Sequence, residues 1–364
     1  MRFLLAALIV ILCSKTVFSQ SLTSATDSLI HTLDKKLPKL IQQNKVPGIA
    51  LAILDNNKFV YTKGYGFSNL KNGTPITSST GFNIGSISKL FTAFAIIKLV
   101  DEDKIELDSP VENYLTRWKL PNSKYNNSKI TIRHLLNHTA GVSVHGYNGF
   151  NTKDLLPSLE SSLNGNKPAR HDEKVEIIIE PQTEFKYSGG GYTILQLVIE
   201  EVTHIPFEKY MDKAVFKPLK MKNTSFKITK RVLKTSAIPY DEHEKEIPFV
   251  YFTAKAAAGL QTTLNDFIKF TNEILNNHTL LSKEKIDMMT QASQLSKNRY
   301  GLGFKILQLG KIKLKGHSGT NSGWQAAFFI DFKNKNGLIM MTNGDNGDRV
   351  LKKALGIWAR AKYQ

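Results

Sequence analysis

N-I-G-S-I-S-K-L-F-T-A-F-A-I-I-K-L-V, residues 83–100, decides how the rest of the chain is read. From residue 87 to residue 100 the run is apolar nearly all round, a pattern that belongs to a helix buried on every side. Its first turn carries Ser86 and Lys89, whose spacing puts a hydroxyl and an amine on one helical face. An unactivated serine is a poor nucleophile, and a lysine amine that is desolvated or held by its neighbours can help remove its proton. The spacing alone decides nothing, because Ser68 with Lys71 and Ser282 with Lys285 repeat it. Ser68 falls in the turn-like stretch S-N-L-K-N-G, and Ser282 reads as the N-cap of a polar helix. Only Ser86 follows a small-residue approach and opens a buried helix; a plain N-cap is the competing reading of it.

Outward from this helix, residues 49–54 and 58–65 are rich in apolar, β-branched or aromatic side chains and flank Asp55, Asn56 and Asn57, which predicts a β-hairpin. Far downstream Lys311, Lys313 and Lys315 alternate with Ile312 and Leu314, a strand with the lysines on one face. Residues 324–332 and 337–342 predict a second hairpin, so the chain is expected to begin and end in antiparallel strands. Between them the pattern is mainly helical, with further helices over 192–202, 206–216 and 264–275, the last opening at Thr263 or Asn265. Residues 351–362 predict a closing helix on the sheet. The expected architecture is α/β (α+β): an antiparallel sheet flanked by helices, built from about 20–80 and 296–364, with a mainly helical lobe of about 81–295 inserted.

Residues 1–19 carry Arg2, an apolar run from Phe3 to Leu12 and small residues near Ser19, the form of a secretory signal. The run is short of the roughly 20 apolar residues that span a bilayer, so no stable membrane anchor is expected after cleavage. Leu12 before Cys13 argues against lipidation. Cys13 is the sole cysteine, and its loss with the signal removes disulfides and cysteine nucleophiles from consideration. An exported protein, periplasmic or secreted, is the expectation. The formal charge of +18 invites a nucleic-acid reading, but the lysines are scattered along the chain with no basic tail or nucleic-acid motif. A solvated basic surface accounts for them.

Two further segments bear on Ser86. F-K-Y-S-G-G-G-Y, residues 185–192, places Tyr187 before three glycines that let backbone approach another surface closely. K-G-H-S-G-T-N-S-G-W, residues 315–324, ends the lysine-striped strand with glycines that leave its edge bare for a substrate. In this order S-I-S-K, Y-S-G and H-S-G resemble the three active-site motifs of the serine β-lactamase and penicillin-binding protein superfamily, in particular its class C branch and the related D-peptidases and esterases. The resemblance extends to V-P-G-I-A-L-A-I-L (46–54), I-T-I-R-H-L-L-N-H-T-A-G-V (130–142), V-F-K-P-L-K-M-K-N-T (215–224), A-A-A-G-L-Q-T-T-L-N-D-F (256–267) and Y-G-L-G-F (300–304).

The resemblance implies a β-lactamase/transpeptidase-like fold and a catalytic set of Ser86, Lys89 and Tyr187. It implies an oxyanion site between the backbone amides of Ser86 and Thr320, with His317, Ser318 and Gly319 facing a small-molecule or peptide substrate, cell-wall material among the candidates. A phenolate at Tyr187 would need its pKa drawn from near 10 to about 7, which an adjacent ammonium favours. Two departures bear on substrate. Class C β-lactamases carry asparagine where this chain has Gly189, and lysine where it has His317, a residue mostly neutral at pH 7. Both shift the expectation toward D-peptides, as in a D-alanyl-D-alanine carboxypeptidase, amides or esters. A carboxylesterase, a true class C β-lactamase and a non-catalytic penicillin-binding-type binder are the rivals.

Other chemistries have weaker signals. His134 and His138 are spaced as in some zinc sites, but Leu135 stands where the glutamate should follow, so no metal or cofactor is expected; His138 is read as a brace for the loop after its helix. No G-x-S-x-G elbow occurs.

Overall fold

The computed structural model describes residues 23–363; the expected signal, residues 1–19, lies outside the described residues. Both chain ends meet at β1 (Gly48–Asp55), which pairs antiparallel with β2 (Lys58–Asn69) on one side and β9 (Asn336–Thr342) on the other. All eight positions of β1 are buried because its side chains alternate between two cores. Ile49, Leu51 and Ile53 pack with Leu29, Leu33, Leu37 and Trp358. Ala50, Ala52 and Leu54 face the core that holds Phe91, Phe94, Phe267 and Phe270.

With β3 (Thr74–Pro75), β6 (Lys305–Leu309), β7 (Ile312–Asn321) and β8 (Trp324–Asp331) this makes a seven-stranded sheet in the order β3-β2-β1-β9-β8-β7-β6, antiparallel at every pairing. A small second sheet joins β4 (Gly81–Asn83) to β5 (Gln261–Thr263). The first helix (Thr23–Gln43) and the last (Gly347–Tyr363) pack against each other and line one face of the sheet. The central helix (Ser88–Asp101) and its neighbours fill the other. The fold is the helix-flanked antiparallel sheet expected from the sequence.

Two expectations need correction. The described chain opens in a helix rather than a strand: Leu29, Leu33, Leu37 and Ile41 recur at helical spacing and form one buried stripe, while Pro38 in the same helix lies on its exposed side. Strand β6 was not anticipated at all. It has five residues and, among the described strands, pairs only with β7, too short to announce itself by alternation.

The sheet and the helical part are brought to backbone contact at one place. Gly85 has φ of +51°, and a methyl added there would lie 2.6 Å from the amide nitrogen of Thr320. Across from it, a methyl on Gly319 would lie 1.9 Å from the Ile84 carbonyl oxygen and 3.1 Å from the Ser86 amide nitrogen. Any side chain at either position would push β7 away from the turn that carries Ser86. Gly319→Ala is therefore expected to destabilise the protein by about 2 kcal/mol or more, read by denaturant unfolding. Gly356→Ala, where the added carbon meets only the Arg360 guanidinium at 3.9 Å, should be neutral or mildly stabilising. Equal midpoints for the two variants would contradict the backbone contact.

Candidate active site

Ser86 sits in a single 3-10 turn, Gly85–Ile87, that leads into the central helix. The N-cap position of that helix is Ile87 and carries no side-chain cap, so the Ser86 hydroxyl is not spent on capping. Lys89 is fully buried on the first turn, and its Nζ donates to Ser86 Oγ at 3.2 Å and to the Ala257 carbonyl at 2.8 Å. No carboxylate partners this amine among the described residues, and burial alone pulls it down to about 7. The two competing serines are otherwise engaged. Ser68 Oγ donates to the Thr74 carbonyl, and Ser282 caps its helix by accepting from the Lys285 amide.

The segment 256–260 wraps this turn through its backbone. Thr92 Oγ1 donates to the Ala256 carbonyl, Lys89 to that of Ala257, and Asn83 and Asn321 both to that of Ala258. The Leu260 amide donates to Ser88 Oγ, and the Gly85 amide to Asn83 Oδ1.

Tyr187 is held by the residues on either side of it. Ser188 caps the helix Gly189–Thr203, accepting from the Gly191 amide and donating to the Ser143 carbonyl. The three glycines are thus the first turn of the helix, which begins earlier than the expected 192. His138, at φ of +62°, accepts the Lys186 amide on its carbonyl and the Ser188 amide on Nδ1 at 3.1 Å. Its ring packs against Tyr187 with centroids 4.3 Å apart. Burial first and the nearby Lys89 second hold it well below the ordinary histidine range, so it stays neutral. The helix carrying His134 ends at Leu136, which takes His134 and His138 off any common face. His134 closes a capping box with Thr131 instead. Among the described residues no cluster of three metal-ligating side chains occurs.

Burial pushes the Tyr187 hydroxyl up, with the nearby Ser86 offsetting part of the rise. Of the two candidate bases left open by the sequence, Lys89 and Tyr187, this disfavours a Tyr187 phenolate. Lys89 Nζ lies 5.0 Å from the Tyr187 ring centroid, and in so dry a site both groups move toward their neutral forms.

The third motif lies on β7. His317 is buried, with Nε2 2.8 Å from the Tyr300 hydroxyl and Nδ1 2.6 Å from the Ser318 carbonyl. Desolvation, aided by Lys89, lowers its pKa to about 3. It lines the cleft, but both ring nitrogens are already engaged. Thr320 donates its hydroxyl to Gln325, and its backbone amide nitrogen borders the Gly85 turn.

Ser86, Lys89, Tyr187, His317, Ser318 and Thr320 line one cleft of about 580 Å³. Gly189 and Gly319 are not among its lining residues, against expectation; Gly319 is held against the Ser86 turn. A methyl on Gly189 would meet the His145 carbonyl at 3.1 Å and the Tyr147 ring at 3.4 Å, so the loop 145–147 takes the space that a larger side chain would use. Among the lining residues missed from the sequence are two cations, Arg299 and Lys305. The adjacent Y-G-L-G-F was the available signal: it forms the bend that sets Arg299 beside β6, with the Ile306 amide bonded to the Arg299 carbonyl. Neither cation has a carboxylate partner among the described residues. A larger cavity of about 1000 Å³ lies between the sheet and the last helix; it lacks Ser86, Lys89 and Tyr187, so the smaller cleft is the candidate active site.

A family model described as Beta-lactamase matches residues 33–361. Protein flp of Staphylococcus aureus (strain N315) is 27% identical over 330 residues, covering 88% of this chain and 64% of flp. The chain thus spans just under two-thirds of the length of that relative. The putative penicillin-binding protein PbpX of Bacillus subtilis (strain 168) is 26% identical over 289 residues, 77% of this chain and 68% of PbpX. Among solved structures, the octameric penicillin-binding protein homologue from Pyrococcus abyssi superposes with a TM-score of 0.75 at 28% identity, covering 90% of this chain and 77% of that one. The D-amino acid amidase from Ochrobactrum anthropi SV3 complexed with D-phenylalanine has the same fold, with a TM-score of 0.73 at 21% identity, covering 90% and 99%.

The Lys89 environment sets an expected pH dependence. A protonated Lys89 cannot accept the Ser86 proton, so reaction of Ser86 with a neutral ester should be lost as pH falls through about 7 and level off above it. The same shift adds stability as pH rises from about 7 to 10.5, where the unfolded chain carries this proton and the folded chain does not. A kcat/KM profile that is flat across neutral pH, or that falls on its alkaline side, would contradict a neutral lysine.

Proposed function

The chain belongs to the beta-lactamase family, and from that premise we propose that it is a serine hydrolase working through an acyl-enzyme, with Ser86 as nucleophile and Lys89 and Tyr187 sharing the proton transfers. The observation that carries this reading is the fully buried Lys89 amine resting on Ser86 Oγ with no carboxylate to hold its proton. Neutral Lys89 accepts the Ser86 proton as Oγ attacks the carbonyl carbon. The carbonyl oxygen is received by the backbone N–H groups of Ser86 and Thr320, and loss of one such donor typically costs about 10²- to 10³-fold in rate. Tyr187, neutral and beside Ser86, relays a proton to the leaving group. Water then attacks the acyl-enzyme by the reverse of these transfers. Every step uses this chain's own residues.

The proposed substrate is a small amide or peptide of the D-peptidase kind. The likeness to a D-amino acid amidase and to penicillin-binding proteins supports this class. Arg299 and Lys305 at the cleft favour a substrate bearing a carboxylate, the role that His317, neutral and engaged, leaves unfilled. Ester hydrolysis is the neighbouring activity. Efficient β-lactam turnover is disfavoured because the loop 145–147 covers Gly189, where the class C enzymes have asparagine. An exported location, proposed from residues 1–19, suits cell-wall-derived substrates.

Ser86→Ala is expected to abolish turnover and labelling by a fluorophosphonate probe read by intact mass, while Ser68→Ala and Ser282→Ala leave both nearly unchanged. Lys89→Ala and Tyr187→Phe should each lower kcat by about 10²-fold or more, with a double variant close to the worse single one. Labelling of Ser86 without turnover across esters, D-amino amides, D-Ala-D-Ala peptides and β-lactams would identify a binder rather than an enzyme.

A second prediction concerns the cations. Arg299→Ala with Lys305→Ala should raise KM for a peptide with a free C-terminal carboxylate by about 10-fold or more, the worth of one lost charged hydrogen bond, and leave a neutral ester unaffected. Equal effects on both substrates would remove these residues from carboxylate recognition.

A further inference from the structure

The last pair between β6 and β7 is Lys305 with Gly316, so β7 continues to Asn321 with no strand beside it on that edge. Successive side chains of this overhang point to opposite faces. His317 faces the cleft, and Gly319, whose backbone also borders the larger cavity, abuts the Ser86 turn. Ser318 and Thr320 share the face of Leu314, which packs in the core with the last helix. On that face lies the cavity of about 1000 Å³, bounded by β6, β7, β8 and the last helix. Lys305, Ser318 and Thr320 border both this cavity and the active-site cleft. The two spaces therefore adjoin across the free edge of β7.

The cavity is an apolar groove. Leu307, Ile312 and Ala327 contribute to its floor, and Leu355, Ala359 and Tyr363 to its helical wall. Five of these, all but Ala327, remain only partly buried, which leaves apolar surface unpartnered beside an otherwise closed core. Its lining takes in Ile312 near one end of β7 and Ser318–Thr320 near the other, about 26 Å apart along the strand, the reach of a long linear chain. Its rim includes Lys311, Lys352 and Arg360; Lys352 pairs with Asp348, while Lys311 and Arg360 have no carboxylate partner among the described residues. A rim of this sign disfavours a second copy of a chain whose formal charge is +18 as the occupant.

We propose that this groove is an acyl-chain subsite: the substrate's linear apolar chain crosses the free edge of β7 at Ser318–Thr320 and lies between the sheet and the last helix while its carbonyl is at Ser86. The inference rests on the serine hydrolase reading but not on its small-peptide preference, in place of which it names a long-chain acyl ester or amide as the substrate class for the same site. In the step it serves, Ser86 Oγ forms an ester to the acyl carbon, and the bond to the leaving alcohol or amine breaks. The leaving group takes up the proton that Lys89 removed from Ser86. Water then releases the free acid, and Ser86 recovers its proton.

The test compares p-nitrophenyl acetate, butanoate, octanoate and decanoate on the wild-type protein and on Ala359→Trp, which fills the groove from the helix without touching Ser86, Lys89 or Tyr187. Each methylene withdrawn from water is worth up to about 4-fold, so kcat/KM should rise at least about 30-fold from butanoate to decanoate. In Ala359→Trp the rise should flatten to under about 3-fold, with acetate turnover and thermal midpoint retained. A parallel measurement uses Ser86→Ala protein and a dansyl-labelled undecanoic acid, whose fluorescence should report binding displaced by decanoate and lost when Ala359→Trp is added. If acetate is cleaved but chain length has no effect, or if the chain-length effect and probe binding survive Ala359→Trp, the inference is overturned while the hydrolase reading stands. If Ser86 cleaves no ester and takes no fluorophosphonate, the hydrolase reading itself fails and the subsite with it. A Trp variant too unstable to assay leaves the probe titration to decide: no binding to Ser86→Ala protein overturns the proposal.

Discussion

The Lys89 amine is buried beside Ser86 with no negative charge in contact, and much of the surrounding structure exists to make that arrangement tolerable. An isolated ammonium in a dry site is costly and sheds its proton instead. In the proposed reaction that outcome is useful, because a neutral amine can serve as base to the hydroxyl it touches. The amine is not left without a hydrogen-bond acceptor, since the Ala257 carbonyl takes one of its protons. That carbonyl is itself fixed, because those on either side of it accept from Thr92, Asn83 and Asn321. The apolar helix beyond Lys89 supplies the dryness. Phe91 stacks on Phe270 with centroids 4.0 Å apart, and the rest of the helix is sealed on nearly every side.

The same dryness explains why the cleft holds so many neutral titratable groups. His138, His317, Tyr187, Tyr192 and Tyr300 all move toward their uncharged forms chiefly through burial in a shared aromatic cluster. A cationic His138 or His317 would also oppose any positive charge that Lys89 acquires during proton transfer. Neutral, they act through shape and hydrogen bonds: His138 grips the backbone on both sides of Tyr187, and His317 ties Tyr300 to β7.

How much of this was legible depended on whether the constraint is local. Ser86, Lys89 and Tyr187 were readable because each stands at a helix start whose sequence signals are short-range: an apolar helix after the serine, a serine cap and glycines after the tyrosine. The antiparallel sheet was readable from its hairpins. The first helix was not, and its stretch holds Pro38, a residue that ordinarily disfavours a helix interior. Gly189 was expected among the substrate-binding positions, and nothing near it in sequence announces the loop 145–147 that covers it. Arg299 and Lys305 were missed for a similar reason. Their place at the cleft follows from the pairing of a five-residue edge strand and from a bend at residues 299–304, both tertiary outcomes.

The placement of those two cations bears on how the site can hold a charged substrate while keeping Lys89 neutral. A permanent cation at the His317 position would lie in the dry cluster and raise the cost of any charge on Lys89 or on the histidines. Set on β6 and on the bend before it, Arg299 and Lys305 stand nearer the surface than Lys89, although partial burial lowers the Lys305 amine from its usual range. They can meet an anionic group at the mouth of the cleft with little influence on the proton held deeper in. Recognition of charge is thereby separated from the chemistry at Ser86. The free edge of β7 lies between the two, placed to align a substrate that reaches from one to the other.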